Sequence, residues 1–159
     1  MAKLTHLDAE GRARMVDVTE KAVTQRVAIA RGTIFMRPET LSLIMEKKIE
    51  KGDVFSVARV AGIMAAKRTP ELVPMCHPLN ITSVEIFLTP EQNPARVEIE
   101  AVVKVGGQTG VEMEAMTAVA VSGLTIYDMC KAVDREMSVS EIRLVKKSGG
   151  KSGTFIRKE

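Results

Sequence analysis

The stretch KKSGGKSG at residues 146–153 has the composition of a phosphate-binding loop. Glycines let backbone N–H groups approach an anion closely, and lysines supply positive charge. The spacing is not that of a Walker A motif, because Val145 occupies the position of the first glycine. These residues therefore leave two interpretations open, a phosphate site of another kind or a solvated chain end with little order.

A second candidate is the MCHP segment at residues 75–78. Pro74 and Pro78 restrict the backbone on both sides, so His77 is expected to be held at a defined angle. Imidazole titrates near neutral pH, which suits proton transfer or hydrogen bonding to a ligand. The alternative is a surface histidine in a rigid connector. Cys76 and His77 lack the spacing of a structural zinc site, because the sequence has no C-x-x-C pair.

Acidic and basic residues flank a long apolar run near the C-terminal third of the chain. Asp128 and Lys131 follow the run at positions i and i+3, which places them side by side on one helical turn. This spacing is typical of a helix ion pair, and it also suits a proton donor and acceptor at the edge of a pocket. Glu112 and Glu114 precede the run. Asp128 lies 14 residues after Glu114, about 21 Å along an α-helix. A small substrate could therefore contact both only if a second subunit provided one of them.

The lysines are scattered along the chain, so each is an ordinary solvated charge unless folding gathers them around a polyanion. The net charge of +3 is too small to predict nucleic-acid binding, and four Phe, one Tyr and no Trp offer little surface for stacked bases. We therefore expect a small charged ligand and no nucleic-acid partner. The lysines in question are Lys51, Lys67, Lys131, Lys146, Lys147 and Lys151.

No segment predicts export or membrane insertion. The first residues contain charges throughout and no apolar core of a signal peptide. The longest apolar run, residues 115–127, is 13 residues long, too short for a bilayer, and predicts a buried helix. Cys76 and Cys130 cannot form a disulfide framework, so reduced thiols and a cytoplasmic location are expected.

The elements that must position these residues follow the order strand, helix, strand, strand, helix, strand, with one extra short helix. This is the order of the split βαβ, or ferredoxin-like, fold, an α+β fold with an antiparallel sheet and both long helices on one face. The last helix is apolar on every side of its middle, so it is predicted to be buried all round, which favours an oligomer in so small a domain. Residues 1–14 are predicted to be flexible and 15–159 to form one domain. The predicted strands are 22–36, 81–90, 95–105 and 139–147, with helices at 37–48, 54–68 and about 111–134.

Six stretches, in the same order, resemble the cyclic pyranopterin monophosphate synthases of molybdenum cofactor biosynthesis. The resemblance extends from about residue 4 to residue 154, and several of the stretches are long and unusual in composition. They are THLDAEGRARMVDV, KGDVF, AAKRTPELVPMCHPL, TGVEMEAMTAV, LTIYDMCKAV and KSGGKSG.

The resemblance implies a ferredoxin-like domain assembled as a hexamer, a trimer of dimers with active sites at the dimer interface. The implied substrate is (8S)-3',8-cyclo-7,8-dihydroguanosine 5'-triphosphate. The family rearranges it to cyclic pyranopterin monophosphate and releases pyrophosphate, which is lyase chemistry. No required cofactor is implied. The sequence has no carboxylate cluster for a metal site, so any Mg²⁺ is expected to arrive with the triphosphate.

The resemblance also assigns roles to residues. It implies catalytic roles for Asp128, Lys131 and Lys51. Gln108 lies where members of the family usually have Lys or Arg, so no phosphate contact from a charged side chain is implied there. Two other functions stay open, a nucleotide-binding module without catalysis and a nucleic-acid-binding ferredoxin-like domain, and the scarcity of aromatic residues disfavours the second. The predicted substrate-binding residues are Met75, Cys76, His77, Met113, Glu114, Glu112, Arg26, Lys67, Lys147 and Lys151.

Overall fold

A computed structural model of the chain describes residues 6–158. Its five strands form one antiparallel sheet, and the two long helices pack against each other and against one face of that sheet. The elements in chain order are β1 (Thr24–Phe35), α1 (Pro38–Met45), α2 (Val54–Lys67), α3 (Thr69–Leu72), β2 (Ile81–Gln92), β3 (Ala95–Gly107), α4 (Glu112–Cys130), β4 (Ser138–Ser148) and β5 (Phe155–Ile156).

The sheet confirms the predicted ferredoxin-like arrangement. Its strand order is β2-β3-β1-β4-β5, so the first and third strands are central and the first helical crossover joins β1 to β2. Alternate side chains of β3 point into the core, where Val97, Ile99 and Ala101 are almost completely buried. Gln92 pairs with Ala95, so the two strands predicted at 81–90 and 95–105 form a hairpin closed by a two-residue turn. The α+β fold and the order of its main elements were thus predictable.

Glycines bring α4 close to both of its neighbours. A side chain at Gly62 of α2 would collide with the hydroxyl of Ser122, which donates a hydrogen bond to the carbonyl of Ala58 at 3.1 Å. A Cβ atom at Gly32 of β1 would lie 2.6 Å from Cγ1 of Val119. Because neither glycine can be enlarged without displacing its neighbour, α4 is fixed between the sheet and α2.

The prediction that α4 is buried on every side is wrong for the single chain. The sheet and α2 cover two sides of the helix, and a third side faces outward. Leu124 is 59% exposed on this side, and Met113 is exposed as well. The neighbouring face of α2 exposes Val57, Val60 and Met64. We call this set of exposed apolar residues on α2 and α4 the open helical face.

Helix α4 ends at Cys130, four residues before the predicted end, because the chain turns back towards the start of α1. The buried carboxylate of Asp134 holds that turn. It accepts hydrogen bonds from the backbone N–H of Arg37 at 2.9 Å, from the hydroxyl of Thr40 at 3.0 Å and from the N–H of Glu136 at 3.1 Å. Long-range contacts of this kind leave no periodic pattern in the sequence.

The N-terminal segment predicted to be flexible lies partly outside the described residues, which begin at residue 6. Residues 6–14 form a turn in which Leu7 pairs with Ala13. The carboxylate of Asp8 accepts backbone hydrogen bonds within this turn from Glu10 at 3.0 Å and Arg12 at 2.8 Å. Between residues 6 and 158, none of the helices combines the length and apolar character needed to cross a membrane.

Candidate functional site

Two adjoining cavities lie at the N-terminal end of α4. The larger has a volume of about 730 Å³ and the smaller about 400 Å³. They form one elongated cleft, because four residues line both of them: Lys21, Thr109, Gly110 and Glu112. We call the larger cavity the basic end of the cleft and the smaller one the ring end.

Three basic residues among the predicted substrate-binding residues line the basic end. Arg26 on β1 donates from Nε to the carbonyl of Gly107 at 2.9 Å and from Nη2 to the carbonyl of Gln108 at 3.1 Å. Lys147 on β4 forms an ion pair with Glu112 at 2.9 Å, and Lys151 lines the same cavity from the glycine-rich loop. These cations make the basic end suitable for a polyanion.

The glycine-rich stretch is a loop between two paired strands and not a loose chain end. Strand β5 pairs with β4 beyond it, with Lys146 opposite Ile156. Gly149 and Gly150 have φ angles of 98° and 74°, a conformation that side-chain-bearing residues rarely adopt. A side chain at Gly150 would also collide with the guanidinium of Arg26. Glycine is therefore needed here to seat the loop on the arginine.

The ring end is lined by less polar groups. Met75 and Cys76 reach it from the connector that precedes β2, and Met113 reaches it from the first turn of α4. His77 lines the same cavity, and its Nε2 lies 2.7 Å from the carbonyl oxygen of Val16. Because a carbonyl only accepts hydrogen bonds, Nε2 must have the proton, which leaves Nδ1 of the neutral ring as an acceptor. His6 lines this cavity as well, and sulfur atoms, apolar groups and two imidazoles suit a flat heterocyclic ring.

Glu114 is the carboxyl group in the cleft whose proton affinity is most altered. Only 2% of its surface is exposed, and burial, with a smaller contribution from the charge of Glu112, raises its pKa from 4.5 to about 7. Burial and the neighbouring Glu114 also raise the pKa of the Cys76 thiol. The ring end therefore contains a carboxyl group that gains or loses its proton near neutral pH.

The three predicted catalytic residues form a separate cluster at the C-terminal end of α4. Asp128 accepts from Nζ of Lys131 at 2.7 Å and from Nζ of Lys51 at 2.9 Å. Lys51 also donates to the backbone carbonyl of Asp128 at 2.8 Å. The hydrogen bond from Lys131, followed by that from Lys51, lowers the pKa of Asp128 to about 2, and Asp128 in turn raises the pKa of Lys131. Asp128 and Lys131 are therefore held in their charged forms.

The structure thus divides the predicted site residues between the two ends of α4. Lys67 belongs to neither group, since it is exposed at the end of α2 and does not line the cleft. In the described part of the chain, no group of three or more His, Cys, Asp or Glu side chains could hold a metal ion. The cleft collects Met75, Cys76, His77, Met113, Glu114, Glu112, Arg26, Lys147 and Lys151, and the opposite end collects Lys51, Asp128 and Lys131.

Sequence reasoning missed Lys21, which lines both cavities of the cleft. It also missed the bonds of Gln108, whose Nε2 donates to the backbone carbonyls of Thr19 at 3.3 Å and Lys21 at 3.0 Å. One feature of the sequence could have pointed to Lys21. It lies three residues after THLDAEGRARMVDV, a stretch that carries the family resemblance.

Comparison with known proteins gives a consistent result. Residues 15–150 match the model of the MoaC family. A cyclic pyranopterin monophosphate synthase from Pelotomaculum thermopropionicum is 63% identical over 158 residues, which cover 99% of this chain and 93% of the relative. Proteins with the same name from Chloroflexus aurantiacus and Thermomicrobium roseum are 61% and 59% identical, over 98% and 100% of this chain and 95% and 96% of their own lengths.

Proposed function

The chain belongs to the MoaC family, and from this membership we propose that it is the lyase that makes cyclic pyranopterin monophosphate in molybdenum cofactor biosynthesis. The substrate is (8S)-3',8-cyclo-7,8-dihydroguanosine 5'-triphosphate, and pyrophosphate is the second product. The observation that supports this best is the joined cleft at the head of α4, in which a basic end adjoins a ring end. A nucleotide-derived triphosphate has the same two parts.

The cleft accounts for binding of both parts of the substrate. Arg26, Lys147 and Lys151 surround the space that suits the triphosphate, and they stabilise the charge that develops as pyrophosphate leaves. A substrate hydroxyl gives up its proton and forms a new bond to the phosphorus nearest the sugar, the bond from that phosphorus to the pyrophosphate oxygen breaks, and the proton is released with pyrophosphate. No water is consumed. At the ring end, Glu114 titrates near neutral pH and can hold or release a proton beside the purine-derived ring.

Asp128, Lys131 and Lys51 act from the opposite end of α4, too far from the cleft of their own chain. A second subunit brings the cluster of one chain to the cleft of the other if two copies of α4 lie antiparallel across a two-fold axis. Residue 121 is midway between Glu114 and Asp128, so an axis near Val121 places Asp128 of one chain beside Glu114 of the other. The open helical face provides the apolar surface for this contact, with Leu124 close to the axis.

We therefore propose a homodimer as the unit that forms complete sites, and a homohexamer built as a trimer of such dimers. The charge state of the Asp128 cluster suits its role in the partner's cleft. Two ammonium groups around one carboxylate leave a net positive charge, which attracts the triphosphate. We expect the protein to act in the cytoplasm, without a resident cofactor and with Mg²⁺ entering only on the triphosphate.

Incubation of the purified protein with the cyclic dihydroguanosine triphosphate tests the function. We expect stoichiometric release of pyrophosphate and of a pterin that oxidises to a fluorescent product. Binding of the triphosphate without pyrophosphate release would favour the nucleotide-binding module instead. Guanosine triphosphate serves as the matched control, since it has the same phosphates and lacks the cyclised ring system.

A further inference from the structure

A segment near the N-terminus forms one wall of the cleft. Residues 16–22, which we call the strap, run across the boundary between the two cavities. Val16 and Val18 line the ring end, Glu20 and Ala22 line the basic end, and Lys21 lines both. The strap contains a turn but no helix or strand, so its position depends on the side chains that hold its backbone.

Two side chains from the body of the domain bind the carbonyl groups of the strap. His77 donates to the carbonyl of Val16 at 2.7 Å, and Gln108 donates to those of Thr19 and Lys21 at 3.3 and 3.0 Å. Between these attachment points the strap closes a turn of its own, in which the N–H of Lys21 donates to Val18 at 2.9 Å.

Gln108 is itself fixed to the basic end of the cleft. Its backbone carbonyl accepts a hydrogen bond from Nη2 of Arg26 at 3.1 Å, while Nε of Arg26 binds the adjacent carbonyl of Gly107. Arg26, Gln108 and the strap thus form one continuous set of hydrogen bonds. The amide side chain of Gln108 bears no charge to neutralise a phosphate, and its two donated bonds go to backbone oxygens of the strap.

Building on the synthase function proposed above, we propose that Gln108 is a positioning residue that holds the strap against the cleft and so places Lys21 between the triphosphate and the ring. Gln108 acts through the strap and not by contact with phosphate. The loss of its bonds releases Lys21 and widens the cleft. Substrate binding weakens as a result, while the reacting groups supplied by the partner chain stay in place.

The test compares two substitutions at Gln108 with one at a distant glutamine. Gln108→Leu keeps the volume of the side chain and removes both donors, whereas Gln108→Lys keeps a donor that can reach the strap carbonyls. Gln92→Leu, at the end of β2, is the matched control. The first measurements need no activity: hydrogen–deuterium exchange over residues 16–22, the rate of tryptic cleavage after Lys21, and binding of inorganic tripolyphosphate.

We expect Gln108→Leu to increase exchange and cleavage in the strap about five- to twenty-fold, as the loss of two hydrogen bonds implies. Tripolyphosphate binding should weaken, and KM for the cyclic triphosphate should rise by a similar factor with kcat changed less than about two-fold. Gln108→Lys should retain the protection of the strap. Gln92→Leu should resemble the unmodified protein in every measurement.

Unchanged exchange and cleavage in Gln108→Leu would overturn the proposal, because the amide would then not hold the strap. So would a loosened strap with normal KM and normal tripolyphosphate binding, since the strap would then not shape the cleft. A raised KM with full protection of the strap would instead assign Gln108 to direct phosphate contact. If the unmodified protein released no pyrophosphate, the synthase function would fail while the exchange and tripolyphosphate measurements still decided the role of Gln108.

Discussion

The two ends of α4 present carboxyl groups in opposite electrostatic surroundings. Glu114, in the first turn, is buried beside another carboxylate, and its pKa is raised to about 7. Asp128, near the last turn, is exposed and lies between two ammonium groups, and its pKa is lowered to about 2. Similar side chains thus have very different proton affinities because of burial and neighbouring charge. One end can exchange a proton near neutral pH, and the other stays charged.

The largest effect is expected from removal of the charged cluster. Asp128→Ala and Lys131→Ala should each lower turnover by about 10²- to 10⁴-fold, as is usual for the loss of a group that acts in the transition state. The fold should persist, because both side chains are exposed and take part only in surface ion pairs. Pyrophosphate release and the thermal melting temperature measure the two effects. Normal turnover with a lowered melting temperature would make the pair purely structural.

Mixing of subunits tests whether the two ends of α4 meet in one site. Dissociated Glu114→Ala and Asp128→Ala chains, reassembled in equal amounts, should form heterodimers in half of all dimers. One site of each heterodimer then contains both defects and the other contains none, so about a quarter of all sites should regain activity.

Two controls are needed for this experiment. Each single variant must be nearly inactive and must still assemble, and subunit exchange must be shown independently with labelled chains. If exchange occurs and activity does not return, the two carboxyl groups act from the same chain or Glu114 does not contact substrate.

A smaller effect is expected at the basic end of the cleft. Gly150→Ala combines an unfavourable backbone angle with a collision against Arg26, so it should displace the loop and lower kcat/KM on the order of 10- to 100-fold. Gly153→Ala is the matched control, since Gly153 also has a positive φ of 69° but has open space around its Cβ position. Equal losses in the two variants would show that backbone strain, not the contact with Arg26, is responsible.

The smallest effect concerns stability and pH. Because the folded pKa of Glu114 is about 7 against 4.5 when exposed, the folded state keeps a proton that the unfolded state loses. The free energy of unfolding should fall as pH rises from about 5 to 7, by at most about 1.4 kcal/mol per pH unit from this group, and then level off. Glu114→Gln should remove this contribution. Urea denaturation at several pH values measures it, and an identical pH dependence in both proteins would refute the raised pKa.

The fold was predictable from the sequence because its main elements have strong local patterns. The alternation of Val97, Ile99 and Ala101 marks a half-buried strand, and Asp53 before α2 caps that helix by accepting the N–H of Ser56 at 3.0 Å. Helix α3, with four residues, and β5, with two, are too short to show a period. Strand β5 depends on its pairing with β4 across the glycine-rich loop.

The site was predictable to a lesser extent. The resemblance selected residues that the structure gathers at the two ends of α4, but it also selected Lys67, which lies in neither place. The strap could not be predicted, because hydrogen bonds from His77 and Gln108 to backbone carbonyls require no particular residue type in the strap itself. The sequence favoured a partner surface for α4 but could not locate the exposed side, since an apolar sequence does not tell which neighbour covers each side of a helix.

The close packing of α4 at Gly32 and Gly62 restricts how the chain can change in length. One residue inserted into a helix advances everything beyond it by about 1.5 Å and turns it by about 100°. Because the sheet and α2 hold the helix on two sides, such an insertion would move Asp128 off the face on which we propose that it meets Glu114 of a second copy. Insertions and deletions should therefore be tolerated in the turn between β2 and β3 and excluded from residues 112–130.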